Sequence, residues 1–381
     1  MIRIEDKISC CGCNACVQAC PKKCISLVTD NEGFWYPEVQ YDECISCNMC
    51  EKVCPIQNKT SFSDEVLAAY AGHSVNEAII SASSSGGVFS ELALYVLEQN
   101  GVVFGAAFDG QYRVHHICID NISDLHLLQG SKYLQSDIGQ SYKEAEKYLL
   151  DGRLVLFSGT PCQISGLHSF LGKEYDGLIS LDILCHGVPS PLVWRRYLDE
   201  LKQLNKCDEI KKISFRAKPK GWLDYYFEAI FNGGIKYSCS HKTNPFMRLF
   251  LGNICLRPSC HECKFKKLGR KSDITLGDCW GVENVLPELF YENGVSIIIV
   301  HSHKGEVILE KIKSIVKKKA DVNVLLPPSS DSRKSVKEHR NRRKFFVKMQ
   351  KSNSVSELTR YLEPSLLNRL KRKMKKIFRL G

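Results

Sequence analysis

Residues 178–204, LISLDILCHGVPSPLVWRRYLDELKQL, place a strand-length apolar run (178–184), a turn carrying Gly and Pro, and a helical pattern (191–204) in direct succession. The same order recurs along the chain. VLAAYAG (66–72), VVFGAAF (102–108) and RLVLFSG (153–159) read as strands, and SGGVFSELALYVLEQN (85–100) and SYKEAEKYLLDG (141–152) as helices between them. Alternation of this kind is the signature of an α/β body. From about 210 to 310 the elements turn β-rich, with KKISFRA (211–217), YYFEAIF (225–231), DITLGD (273–278) and VSIIIVHS (295–302), which predicts a second α/β or α+β lobe.

A chain of 381 residues with 44% hydrophobic and 25% charged content has enough material for more than one core. The opening MIRIEDKISCC has no apolar stretch of signal-peptide length, and the longest apolar runs are strand-sized, so the expectation is a cytoplasmic protein. Nineteen cysteines in that setting point to metal or catalysis rather than disulfides. The net charge of +11 is carried by the end of the chain, since residues 333–381 hold 17 Lys or Arg against 3 acids.

Ahead of the α/β body, Cys10, Cys13, Cys16 and Cys20-Pro21 recur at the same spacing as Cys44, Cys47, Cys50 and Cys54-Pro55. This is the bacterial ferredoxin run, in which three closely spaced thiolates hold one 4Fe-4S cluster and the fourth crosses to the other. One cluster then takes Cys10, Cys13, Cys16 and Cys54, and the second Cys44, Cys47, Cys50 and Cys20. Cys11 and Cys24 fall outside the pattern and read as packing residues. Paired zinc sites are the competing use of such thiolates.

With this module in place, the chain resembles the beta-subunit family of coenzyme F420 (deazaflavin) hydrogenases and dehydrogenases. The resemblance is carried by SSSGGVFS (83–90), GSKYLQS (130–136), LFSGTPCQISGL (156–167), DILCHGVPSP (182–191) and RPSCHECKFK (257–266). It implies an FAD-binding iron-sulfur oxidoreductase, nearest a bacterial branch with a fused ferredoxin module that is often associated with surface-polysaccharide genes.

Within that resemblance, Ser84, Ser85, Gly86 and Gly87 precede an amphipathic helix, where free N–H groups and hydroxyls suit a pyrophosphate. A serine-capped helix with glycines in a turn is the plainer reading of the same residues. Gly130, Ser131, Lys132, Tyr133 and Gln135 form a polar loop with a cation for phosphate and an aromatic to cover a ring. A flavin converts single electrons from clusters into a hydride or electron pair for an organic substrate.

The Cys260-x-x-Cys263 pair supplies half of a four-thiolate site. Cys162 and Cys185 each follow a predicted strand, and a parallel sheet sets both at carboxyl ends of strands, where α/β folds build their sites. Family members carry a cluster in this body, so the resemblance implies a third 4Fe-4S cluster on these four cysteines. Zinc and a redox dithiol remain the alternatives. Cys255 is the substitute should one of the four be wrong, and Cys279, where the family has an aromatic residue, is left out.

The expected division is a ferredoxin-type domain (1–58), a flavin-binding lobe (66–207), a C-terminal lobe with the Cys-x-x-Cys pair (208–330) and a basic amphipathic tail (331–381). In the tail, Leu367, Leu370, Met374, Ile377 and Phe378 recur at helical spacing among lysines and arginines, which predicts peripheral attachment to an anionic membrane surface. No nucleic-acid motif accompanies the charge. The expected partners are a redox protein or low-potential electron carrier and a small-molecule substrate. A non-catalytic electron-transfer subunit feeding another enzyme is the alternative function.

Overall fold

The computed structural model describes residues 1–58, 65–352 and 354–363. The predicted membrane-binding segment from Leu367 onward lies outside them. No helix among the described residues is long and apolar enough to cross a membrane.

Most strands of the body join one sheet. These are β3 (Ala68–Ser74), β4 (Val102–Phe108), β5 (Val114–Ile119), β6 (Ser136–Asp137), β7 (Val155–Gly159), β8 (Leu178–Ile183), β12 (Ile274–Asp278), β13 (Ser296–Val300) and β14 (Ile315–Lys319). Their order is β14-β3-β13-β12-β8-β7-β4-β5-β6. At its centre β12, β8, β7 and β4 run parallel, and antiparallel strands close both sides. The central strands read as nearly continuous apolar runs because helices and loops cover both faces. The helices Val88–Glu98, Pro161–Leu171 and Pro191–Asn205 follow β3, β7 and β8.

The predicted boundary at 207/208 does not separate two lobes. Strands β12, β13 and β14 return to the sheet begun by β3, because the buried runs ITLGD and SIIIV find their partners there. A smaller antiparallel sheet stands apart, made of β9 (Ile210–Ala217), β10 (Tyr226–Phe231) and β11 (Lys236–Ser240). It packs through Phe215 and Phe227 against Trp194 and Phe246.

The cysteine-rich domain has a hairpin, β1 (Ile25–Thr29) with β2 (Trp35–Val39), and two short helices, Ala15–Ala19 and Met49–Lys52. Its sequence duplication extends to the backbone: Asn14 (φ 62°) and Asn48 (φ 59°) hold the same left-handed position before each helix. The domain is docked on the body. Asn14 donates to Asp137 at 3.0 Å, and the backbone N–H of Tyr142 donates to Gln18 at 3.0 Å. Gly166, in the helix after β7, lies so close to Cys13 that a β-carbon there would stand 3.0 Å from its Sγ.

The start of the basic tail is also part of the body. Phe345, Phe346 and Met349, on the helix Arg342–Met349, are buried in the same core as Trp194 and Phe34.

Candidate functional site

Cys10, Cys13, Cys16 and Cys54 all line one cavity of about 400 Å³, walled otherwise by apolar residues that include Ile2, Ile4, Leu27 and Ile56. These are the four thiols that the ferredoxin spacing assigns to one cluster. Burial lifts the Cys16 thiol to about 12, with Cys10, Cys54 and Cys50 as its charged neighbours. The second set lies nearer the surface. Cys50 is buried and accepts the N–H of Ile2 at 3.2 Å, whereas Cys47 is exposed. Cys24 is more than packing here: its Sγ is 3.4 Å from that of Cys20, and Cys44 also neighbours it.

Cys162, Cys185, Cys260 and Cys263 come together from three places in the sequence, as mutual electrostatic neighbours. Cys162 sits in the first turn of the helix Pro161–Leu171, and Cys185 follows β8. These adjacent parallel strands deliver the two thiols to the same edge. The N–H of Val188 donates to Cys260 Sγ at 3.4 Å. Burial raises the Cys185 thiol to about 12 and pushes those of Cys260 and Cys263 upward as well. A hydrogen bond with Cys11, and then burial, does the same to Cys162. Left alone, such thiols stay protonated, and a metal centre takes them as thiolates by releasing the protons. Among the described residues no three Cys, His, Asp or Glu side chains are grouped as a single metal ion would need. Cys255 is away from this group, in the aromatic core, and Cys279 is buried elsewhere.

A large cleft, about 1440 Å³ counted out to solvent, opens at the carboxyl ends of β7, β8 and β12. Ser84, Ser85, Gly87, Gly130, Ser131, Lys132, Tyr133 and Gln135 all line it, so two loops 47 residues apart meet as predicted. Ser84 Oγ joins them by accepting the N–H of Ser131 at 2.6 Å. Gly86 stands behind the wall. A β-carbon on it would be 2.7 Å from the Gly72 carbonyl oxygen and 2.8 Å from Ser296 N. Gly87, at φ 82°, begins the helix Val88–Glu98 without any side-chain cap, which leaves first-turn N–H groups facing the cleft.

Some polar groups in the cleft are already committed. The Lys132 ammonium donates to the carbonyls of Leu127, Gln129 and Gly130 at 3.0, 2.9 and 3.3 Å, and burial lowers its pKa to about 7. It therefore clamps the loop rather than extending toward a phosphate. Tyr133 stacks on Phe250 at 5.2 Å. Arg216, almost wholly buried, donates to Asp278 at 2.9 Å and to the Ser84 carbonyl at 3.3 Å.

Sequence reasoning missed His116, Ser158, Thr160, Gln163 and Ser296 in the lining, and left Asp278 to a structural role. His116 bonds Ser136 Oγ at 2.7 Å and the Ser158 carbonyl at 2.9 Å. A lone histidine on an apolar strand carries no mark of such a place. Asp278 had one signal, a carboxylate at the carboxyl end of a buried strand.

The cleft adjoins both thiol groups. Cys162 lines it, and Cys11 with Gly12 lines both the cleft and the cavity of Cys10, Cys13, Cys16 and Cys54. Cys11, expected as packing, is thus a shared wall.

Residues 152–322 match the family described as the C terminus of the beta subunit of coenzyme F420 hydrogenase/dehydrogenase, and residues 9–58 match the 4Fe-4S dicluster domain. Among solved structures, the chain is similar to one from the xenon-derivatised F420-reducing NiFe hydrogenase complex of Methanosarcina barkeri. The two share 17% identity over 67% of this chain and 82% of that one, with a TM-score of 0.45. No curated protein matches.

Proposed function

The chain belongs to the coenzyme F420 hydrogenase/dehydrogenase beta-subunit family and carries a fused N-terminal 4Fe-4S dicluster domain, and on that premise we propose an FAD-dependent iron-sulfur oxidoreductase acting on a small organic substrate. The observation that carries this reading is the shared wall: the cavity lined by four ferredoxin cysteines and the large cleft meet at Cys11 and Gly12.

The residues of each site fit the group assigned to it. Cys10, Cys13, Cys16 and Cys54 would hold the inner cluster, and Cys20, Cys44, Cys47 and Cys50 the outer one. Exposed Cys47 puts the outer set where a redox partner can reach it, and electrons would pass inward from there. The uncapped helix at Val88 and the hydroxyls of Ser84, Ser85 and Ser131 would bind the pyrophosphate of FAD. FAD, when bound, exchanges single electrons with the clusters and an electron pair with the substrate. Cys162, Cys185, Cys260 and Cys263 would hold a third 4Fe-4S cluster beside the cleft, with Cys162 at the boundary.

Anaerobic purification followed by an absorption spectrum and cofactor extraction tests the proposal. Non-covalent FAD is expected, bleached by reduced ferredoxin or a low-potential dye. Stoichiometric iron with no extractable flavin would reject the enzyme and favour an electron-transfer subunit.

A further inference from the structure

Buried arginines in this protein pair with carboxylates: Arg216 with Asp278 at 2.9 Å, Arg270 with Asp182 at 3.1 Å, and Arg342 with Glu32. Arg257 is fully buried and, among the described residues, has no carboxylate partner. Its guanidinium donates instead to the carbonyls of Cys10 and Trp35, both at 2.9 Å, to Gln135 Oε1 at 3.3 Å and to Cys10 Sγ at 3.5 Å. The rings of Tyr36 and Phe34 stand 4.4 and 5.6 Å from the guanidinium carbon. Every oxygen it meets belongs to a neutral amide group, and the remaining polar contact is to a thiol sulfur.

An unpaired charge in such a place is strongly disfavoured, so the fold must supply a negative counterpart. A 4Fe-4S core with four thiolate ligands is anionic, and one-electron reduction makes it more so. Arg257 touches a sulfur assigned to that cluster.

We propose that Arg257 is the buried counter-charge of the inner cluster and sets its reduction potential, favouring the reduced state through its fixed charge and its hydrogen bond to Cys10 Sγ. Hydrogen bonds to cluster sulfurs, net charge and burial are the means by which a protein tunes such a potential. The same guanidinium holds Gln135 in the cleft wall. It is thus a positioning residue between the electron-carrying centre and the cleft. This inference rests on the proposed assignment of Cys10 as a ligand.

The test compares the anaerobic full-length protein with Arg257→Gln and Arg257→Lys, by iron content and by redox titration followed with electron paramagnetic resonance. Arg257→Gln should keep its iron, while the reduction constant of one centre falls at least tenfold, about 59 mV for one electron, and the others stay in place. Arg257→Lys keeps a cation but loses the fork. It should fall in the same direction by about threefold, or about 28 mV by the same constant, and it is the variant to read if glutamine prevents cluster assembly. Unchanged midpoints in a variant with full iron overturn the proposal. A wild-type protein without cluster signals would instead overturn the ligand assignment beneath it.

Discussion

At the scale of single residues, burial and neighbouring thiols decide what each cysteine can do. Cys162, Cys185, Cys260 and Cys263 are gathered, desolvated and raised in pKa, a state that suits a metal-bound role better than a reactive dithiol. Replacing Cys260 and Cys263 together by serine is expected to lower iron from about twelve to about eight per chain, at four irons per cluster. The signals of the dicluster domain should survive. Elemental analysis decides the matter: eight irons and one zinc in the wild type would give the site to zinc, and unchanged iron in the variant would remove both cysteines from the ligand set.

At the scale of elements, one imidazole ties three strands. His116 of β5 bonds Ser136 of β6 and the Ser158 carbonyl of β7. Burial lowers its pKa from 6.5 to about 4, against a smaller opposing effect of the Ser158 hydrogen bond. The folded protein therefore holds His116 neutral where the unfolded chain binds a proton. Stability from this group is fully present above pH 6.5 and is lost as pH falls from 6.5 toward 4. The shift corresponds to at most about 3 kcal/mol. Denaturant unfolding at about pH 7 and about pH 4.5 should show a smaller acid loss in His116→Gln than in the wild type. Equal losses would mean that His116 is not the group responsible. His301, lowered to about 3 by burial and then by Arg270, contributes in the same direction and remains in both proteins.

At the scale of the whole molecule, the two ends of the described chain hold the cysteine-rich domain in place. Arg342 forms a two-pronged ion pair with Glu32, one arm at 3.0 Å, and also donates to the Leu256 carbonyl at 2.9 and 3.1 Å. Ser190 Oγ donates to the Glu32 carbonyl beside this pair. Glu32→Ala leaves the Arg342 charge buried with only a carbonyl partner, and should cost on the order of 3 kcal/mol. Chemical denaturation reads the loss, and a change below about 0.5 kcal/mol would show that the clamp is dispensable. Arg342→Met with Glu32→Ala removes both charges and should recover part of the stability.

What the sequence alone determined is local. The two Cys-x-x-Cys-x-x-Cys-x-x-x-Cys-Pro runs announced the dicluster domain, because ligand spacing within a few residues is fixed by backbone geometry. The strand and helix periods announced the α/β body, and the Ser-Gly and GSKYLQS loops contributed residues to the cleft that the structure now shows. Tertiary structure alone decided which strands share a sheet. No local pattern distinguishes a buried strand that returns to a distant partner from one that begins a new lobe, and so β12 to β14 were assigned across a boundary that the main sheet does not respect. It also decided the roles of Cys11, His116 and Arg257. Their sequence neighbours give no sign of them, since each acts through groups tens to hundreds of residues away that meet only when the cysteine-rich domain is pressed against the carboxyl ends of the central strands.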